Sequence, residues 1–206
     1  MPKSKVWIVK VGGSLAAVDE LPACLIALQR LRNPFLIVPG GGPFVTPTAA
    51  LQARWKLADA DAHVMAILGM AQYGWMLSAL MPSWSRACGL AQIRPARGQA
   101  VWIPTVADIV EFAALPADWR VSADSIALWV ANRLAAPGLI LLKSSAPPSA
   151  NASAQQLAAC GYVDHYFPTL LAEVTLPVLW LAKDELLRDG LPLTAEEMAE
   201  RRIRQG

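Results

Sequence analysis

Charge, cysteine and histidine are all scarce in this chain of 206 residues. Charged residues make up 17% of it against 55% hydrophobic ones, which excludes a disordered polypeptide and leaves apolar surface for a sizeable core. Lys and Arg total 18 and Asp and Glu 16, a formal net charge of +2. That balance gives no electrostatic footprint for nucleic acid or an anionic membrane. The three cysteines, Cys24, Cys88 and Cys160, form no C-x-x-C pair. Neither a disulfide framework nor a zinc site is expected, and a reducing, cytoplasmic compartment is. His63 and His165 stand in no ligand spacing, and no residue is assigned as a metal ligand. No internal repeat or linker-like stretch divides residues 1–206, so they read as one domain. The P-loop spelling, G-x-G-x-x-G and G-x-S-x-G are all missing, which argues against a P-loop enzyme, a Rossmann redox protein and a serine-hydrolase elbow.

Residues 62–81 hold no Asp, Glu, Lys or Arg, a run of transmembrane length. His63, Gly69, Gln72, Gly74 and Ser78 lie within it, and no basic residue stands close at either end. A buried central or subunit-interface helix fits better.

Elsewhere the pattern alternates. Residues 5–11 read as a buried strand stopped by Gly12-Gly13, residues 21–31 as a helix, 35–38 as a second strand before Pro39-Gly40-Gly41-Gly42, and 46–56 as a helix. This alternation predicts a parallel sheet with helices on its faces. A long helix over 59–81 is followed by a turn-rich stretch, 82–98, that holds Arg86, Arg94 and Arg97. Residues 100–103 predict a short strand, 106–115 a short amphipathic element, and 121–134 a loop entering a helix at Asp124. Residues 139–142 and 176–182 predict core strands, and 144–153 a loop. Thr194 and Glu197 spell a capping box for a terminal helix.

Two lysines occupy unusual places. Lys10 interrupts an apolar strand and Lys143 terminates another, each at a carboxyl end where open α/β sheets bind ligands. An ammonium leaving water needs a partner anion. Either lysine could serve a structural pairing, but two beside Gly- or Ser-rich loops point to an anionic ligand. Gly12-Gly13-Ser14 and Gly40-Gly41-Gly42 each follow a strand and precede a helix, where backbone N–H groups can meet phosphate. Ser122 or Asp124 reads as a helix cap, a role compatible with Asp124 anchoring lysines or a metal–phosphate near the crevice.

Lys10-Val11-Gly12-Gly13-Ser14, the Pro39–Gly42 loop and Asp124 opening a helix before the strand that ends at Lys143 resemble the amino acid kinase superfamily. The resemblance implies a three-layer αβα sandwich around a mostly parallel sheet. It implies an acceptor-side half at about 1–120, a nucleotide-side half at about 121–206, and transfer of the γ-phosphoryl group of ATP, with Mg2+, to a phosphate or carboxylate. Carried over, Lys10 stabilises the transferring group, Asp124 positions the lysines, and Lys143 meets the nucleotide. Gly12, Gly13, Ser14 and Ser144 bind phosphates, and Gly40, Gly41, Gly42, Asp59 and His63 bind the acceptor. Superfamily members commonly dimerise across a long helix, so a homodimer or higher homo-oligomer is expected. Ala62-His63-Val64-Met65-Ala66, residues 124–129 and residues 161–168 resemble the aminomethylfuran phosphate kinases of methanofuran biosynthesis. Two features depart from the superfamily pattern. Residues 144–182 hold no Lys or Arg, and Ser144-Ser145-Ala146-Pro147-Pro148 stands where an Asp-Gly turn is usual. Lys143, Lys183 or an arginine of residues 86–97 must then serve for the late lysine; otherwise the chain is a catalytically degenerate nucleotide or anion binder of the same fold.

Overall fold

The short apolar runs preceding each Gly- or Ser-rich loop are strands of one parallel sheet. The structure, a computed structural model, describes residues 6–30, 33–93, 98–149, 151–190, 198 and 201–205. Its strands are β1 (Trp7–Val11), β2 (Phe35–Pro39), β3 (Ser85–Cys88), β4 (Gln99–Ile103), β5 (Leu139–Lys143) and β6 (Val178–Ala182). They hydrogen-bond in the order β3-β4-β2-β1-β5-β6, and every pairing is parallel. The chain therefore leaves β1 toward β2 on one side and returns to β5 on the other. This reversal of strand order is where an open α/β sheet forms a crevice at its carboxyl edge.

Helices α1 (Leu21–Gln29), α2 (Thr46–Trp55), α3 (Asp59–Leu80), α4 (Val106–Glu111), α5 (Ala123–Arg133), α6 (Ala154–Ala159), α7 (Phe167–Ala172) and α8 (Lys183–Asp189) complete the described elements. Successive strand residues point to opposite faces, which divides the core in two. Ile8, Val38, Leu139, Leu141 and Trp180 pack with Ala127, Leu128, Phe167 and Leu170 of α5 and α7. Val9, Val11, Ile37, Ile140, Leu142 and Leu181 pack with Cys24, Leu25, Leu28 and Leu186 of α1 and α8. The result is the expected αβα sandwich. Lys10 is in phase with Ile8, and Lys143 with Leu139 and Leu141, so both lysines belong to the α5 face.

The uncharged run forms α3 beyond its first turn, which carries Asp59 and Asp61. Its inner side buries Ile67, Met70, Tyr73 and Leu77, while Leu68, Trp75 and Leu80 are exposed. A Cβ on Gly74 would lie 3.0 Å from the Trp102 carbonyl oxygen, so the glycine lets the helix lie directly on β4. Among the described residues no helix is long and apolar enough to cross a membrane.

Some expectations move. Helix α1 ends at Gln29, and Leu31 lies outside the described residues, as do Lys5, Arg94, Arg97, Thr194 and Glu197. Strand β3 stands inside the stretch expected to be only turns. It is a four-residue edge strand with exposed Ser85 and Arg86, so no apolar alternation marks it. Helices α6, α7 and α8 span six or seven residues each, too short for a 3.6-residue period to stand out.

One side chain links the loop after α6 to the start of α5. Asp164 Oδ2 accepts from the Ser122 N–H (2.9 Å), the Ser122 hydroxyl (2.8 Å) and the Ser125 N–H (3.0 Å). Its Oδ1 accepts from the Ser125 hydroxyl and from the N–H groups of Tyr166 and Phe167. A carboxylate between two helix N-termini complements both macrodipoles. Asp164→Ala removes the shared acceptor and is expected to lower unfolding free energy by about 2–4 kcal/mol. The check is urea denaturation, where the midpoint falls at unchanged slope. An unaltered midpoint would refute this role.

Candidate functional site

Because β1 and β5 are adjacent and in register, their carboxyl ends bring two lysines to one carboxylate. Lys10 Nζ lies 2.8 Å from Asp124 Oδ1, and Lys143 Nζ donates to Asp124 Oδ2 at 2.8 Å. The Lys10 approach is an ion pair without the alignment of a hydrogen bond. Lys143 also donates to the Tyr162 carbonyl oxygen at 2.7 Å and sits 5.4 Å from the centre of the Trp180 ring. Lys10 and Asp124 are almost entirely buried, at 5% and 4% exposure.

Two ammonium groups share one carboxylate, so the triad carries a formal +1 (two lysines less one aspartate). Burial opposes ionisation of Asp124, but the charges of Lys10 and Lys143 outweigh it and hold its carboxyl below the ordinary value. Burial pushes the Lys143 ammonium down from 10.5 to about 8; Asp124 opposes that fall, and Lys10 adds to it. Asp124 reaches this position because α5 starts there. The Ser122 hydroxyl accepts from the Asp124 N–H at 3.3 Å, and Asp164 fixes the same turn.

The triad forms the floor of an open cleft of about 540 Å³, within the usual range for small-ligand sites. Lys10, Gly12, Gly13, Ser14, Asp124, Lys143 and Ser144 all line it, as do Ser122, Tyr162, Asp164 and Trp180. The Ser14 and Ser144 hydroxyl oxygens are 2.9 Å apart, joining the loops after β1 and β5. The glycine loops touch backbone to backbone. A Cβ on Gly13 would lie 2.4 Å from the Gly42 nitrogen, and one on Gly40 would lie 2.5 Å from the Gly13 nitrogen. No side chain fits either place. The site can thus present cationic groups and closely approachable backbone to a polyanion.

A second, smaller pocket adjoins it. Gly41, Asp59 and His63 line this space with Asp118, Trp119 and Ser122, and Ser122 belongs to both cavities. Gly40 and Gly42 line neither, serving instead as the packing surface for Gly13. Of the described substitutes for a late lysine, only Lys143 reaches the cleft. Lys183 is bound to Glu20 and Asp184, and Arg86 donates to the Ser78 hydroxyl beside Trp75.

Magnesium prefers oxygen ligands and is usually held by one or two carboxylates together with substrate phosphates. The two carboxylates of the cleft are both engaged, Asp124 by lysines and Asp164 by six donors. Among the described residues no three His, Cys, Asp or Glu side chains cluster to hold a metal. The cleft therefore does not fit a protein-held Mg2+, and no step is assigned to one.

Sequence reading missed Asp164, Tyr162, Asp118 and Trp119 as site residues. An Asp three residues before an aromatic helix start, here Phe167, is a local capping signal, which would have flagged Asp164. Nothing local marks the others.

The sheet resembles known enzymes. A UMP kinase from Bacillus anthracis superposes with a TM-score of 0.62 at 14% identity, over 98% of this chain and 95% of that one. A uridylate kinase from Archaeoglobus fulgidus gives 0.66 at 13% identity, over 97% and 98%. None of the curated proteins matches the chain. The amino acid kinase family matches residues 5–147, well over half the length, and the chain belongs to that family.

Proposed function

We propose that the chain is an ATP-dependent phosphotransferase that passes the γ-phosphoryl group to a phosphate or carboxylate of a small acceptor. The observation that carries this reading is the single carboxylate shared by Lys10 and Lys143 beneath an open, glycine-walled cleft. Phosphoryl transfer needs cations and positioning more than covalent chemistry. Lys10 stabilises charge on the transferring group. Asp124 holds both ammonium groups in place, and Lys143 neutralises the nucleotide phosphates. Gly12, Gly13, Ser14 and Ser144 border the triphosphate, while Gly41, Asp59 and His63 receive the acceptor in the adjoining pocket, with Gly40 and Gly42 holding the acceptor-side loop against Gly13. Residues from about 1–120 supply the acceptor side and those from about 121–206 the nucleotide side.

Within this reading the acceptor is (5-(aminomethyl)furan-3-yl)methyl phosphate and the product its diphosphate, supported by the sequence resemblance of residues 62–66, 124–129 and 161–168. The exposed Leu68, Trp75 and Leu80 on α3, uncharged after its first turn, support a homodimer or higher homo-oligomer formed on that helix, and the scarcity of cysteine supports a cytoplasmic location. A second reading, binding without turnover, is favoured by the absence of Lys and Arg from 144–182.

Lys10→Ala is expected to reduce acceptor-coupled ATP turnover by about a hundredfold or more, measured by product formation. Unchanged turnover would refute the assigned role, and ATP binding without any turnover in the parent would favour the second reading. Gly13→Ala is expected to weaken ATP binding at least tenfold in calorimetry, because the loops must part to admit a methyl group.

The pH dependence has a definite sign. Lys143 is an ammonium below about 8 and loses its charge above it, so kcat/KM for ATP falls as pH rises from 7 to 9. Lys143→Arg keeps the charge and removes that alkaline limb. The same group makes the unliganded fold more stable from about pH 8 toward 10.5, where the unfolded chain keeps a proton that the folded chain has released.

A further inference from the structure

Trp180 lines the open cleft and is 5% exposed, yet none of the roles given above uses it. It stands opposite Leu141 in the parallel register of β5 and β6, so its side chain shares the face of Lys143, one diagonal step away. Along the same strand, Val178, Leu179, Leu181 and Ala182 meet the need for burial with aliphatic chains. Packing alone does not call for an indole at this one place.

Two contacts orient the ring. The indole Nε1–H donates to the Ser145 carbonyl oxygen at 3.2 Å, and the Tyr162 ring packs against it with centres 5.7 Å apart. The Lys143 ammonium lies over the indole, 5.4 Å from its centre, within the reach of a cation–π attraction. Tryptophan offers the strongest such ring, and the attraction grows when the ammonium is withdrawn from water.

The charges around this ammonium leave the ring a task. Asp124 of α5 divides its carboxylate between Lys143 and Lys10 of β1, and Lys10 repels Lys143. Asp164 lines the cleft, but six donors hold its oxygens. Lys183, beyond the end of β6, is paired with Glu20 and Asp184. Cys160 and Tyr162 are the other titratable groups of the lining among the described residues, and Tyr162 meets Lys143 through its carbonyl oxygen. A carboxylate in place of the indole would bring the cluster to formal neutrality (two lysines less two carboxylates) and repel a polyphosphate. A ring face stabilises the ammonium without net charge, so the formal +1 stays available to a ligand.

Resting on the kinase reading, we propose that Trp180 is a positioning residue for phosphoryl transfer: its ring supplies Lys143 with the partial negative charge that the shared Asp124 does not, and keeps that ammonium charged and aimed at the nucleotide phosphates.

The test titrates the Lys143 side chain by NMR in ligand-free protein, where the parent midpoint near 8 is the reference. Trp180→Phe keeps a weaker ring and is expected to lower that midpoint. Trp180→Leu is expected to lower it further, by about half a unit or more. Replacing the eight tryptophans with difluorotryptophan draws charge off the ring face at nearly constant shape. That labelling is expected to lower the midpoint in the parent and to leave it unmoved in Trp180→Phe, and it carries the test even where Trp180→Leu fails to fold. A midpoint that rises in either variant, as water entering beside the ammonium would cause, would overturn the inference. So would a midpoint that difluorotryptophan does not move. In turnover assays the alkaline limb of kcat/KM for ATP is expected to shift with the midpoint, and a limb that stays fixed while the midpoint moves would overturn the positioning role. A parent chain without turnover counts against the kinase reading alone, because the titration needs no ATP.

Discussion

One carboxylate holding two buried ammonium groups is the constraint around which the rest of this molecule is arranged. Each ion loses several kcal/mol of hydration on burial, and an apolar cluster of similar volume would commonly be as stable or more so. A triad of this composition is therefore poorly explained as a device for stability. Its second cation is only half compensated from within, and the open cleft above it is where an anion can complete the compensation.

Topology supplies the geometry. The order of connection reverses at β1, with β2 on one side and β5 on the other, so residues far apart in sequence end side by side at one carboxyl edge. The period-2 alternation of both strands then puts Lys10 and Lys143 on the same face, under the first turn of α5. Asp164 bonds that turn to the loop that also offers the Tyr162 carbonyl to Lys143. On the other side of β1, glycines at 13, 40 and 42 let two backbones meet at distances no side chain would permit.

Much of this was legible from residue order because the relevant signals are local. Short apolar runs, each closed by glycine or serine, name β1, β2 and β5, and a lysine ending an apolar run is conspicuous without coordinates. The residues around Asp124 spell a cap, and its anchoring of lysines was an expectation drawn from the crevice and the family resemblance; the distances of that pairing depend on strand order. The acidic lining contributed by Asp118 was not legible at all: it comes from an irregular loop that reaches α2 through the Trp119–Gln52 contact, a tertiary event with no periodic trace. Strand β3 and helices α6 to α8 were missed for a simpler reason, being too short or too polar for periodicity to register.

The central claim concerns charge, so the most direct test reads charge at one atom. With six lysines in the chain, carbon-13 labelling allows the Lys143 side chain to be titrated by NMR with and without a non-hydrolysable ATP analogue. The account predicts a midpoint near 8 in the free protein that rises by about one unit or more when the triphosphate binds beside it. A midpoint that does not move, in protein saturated with the analogue, would mean that the paired lysines do not meet the phosphates.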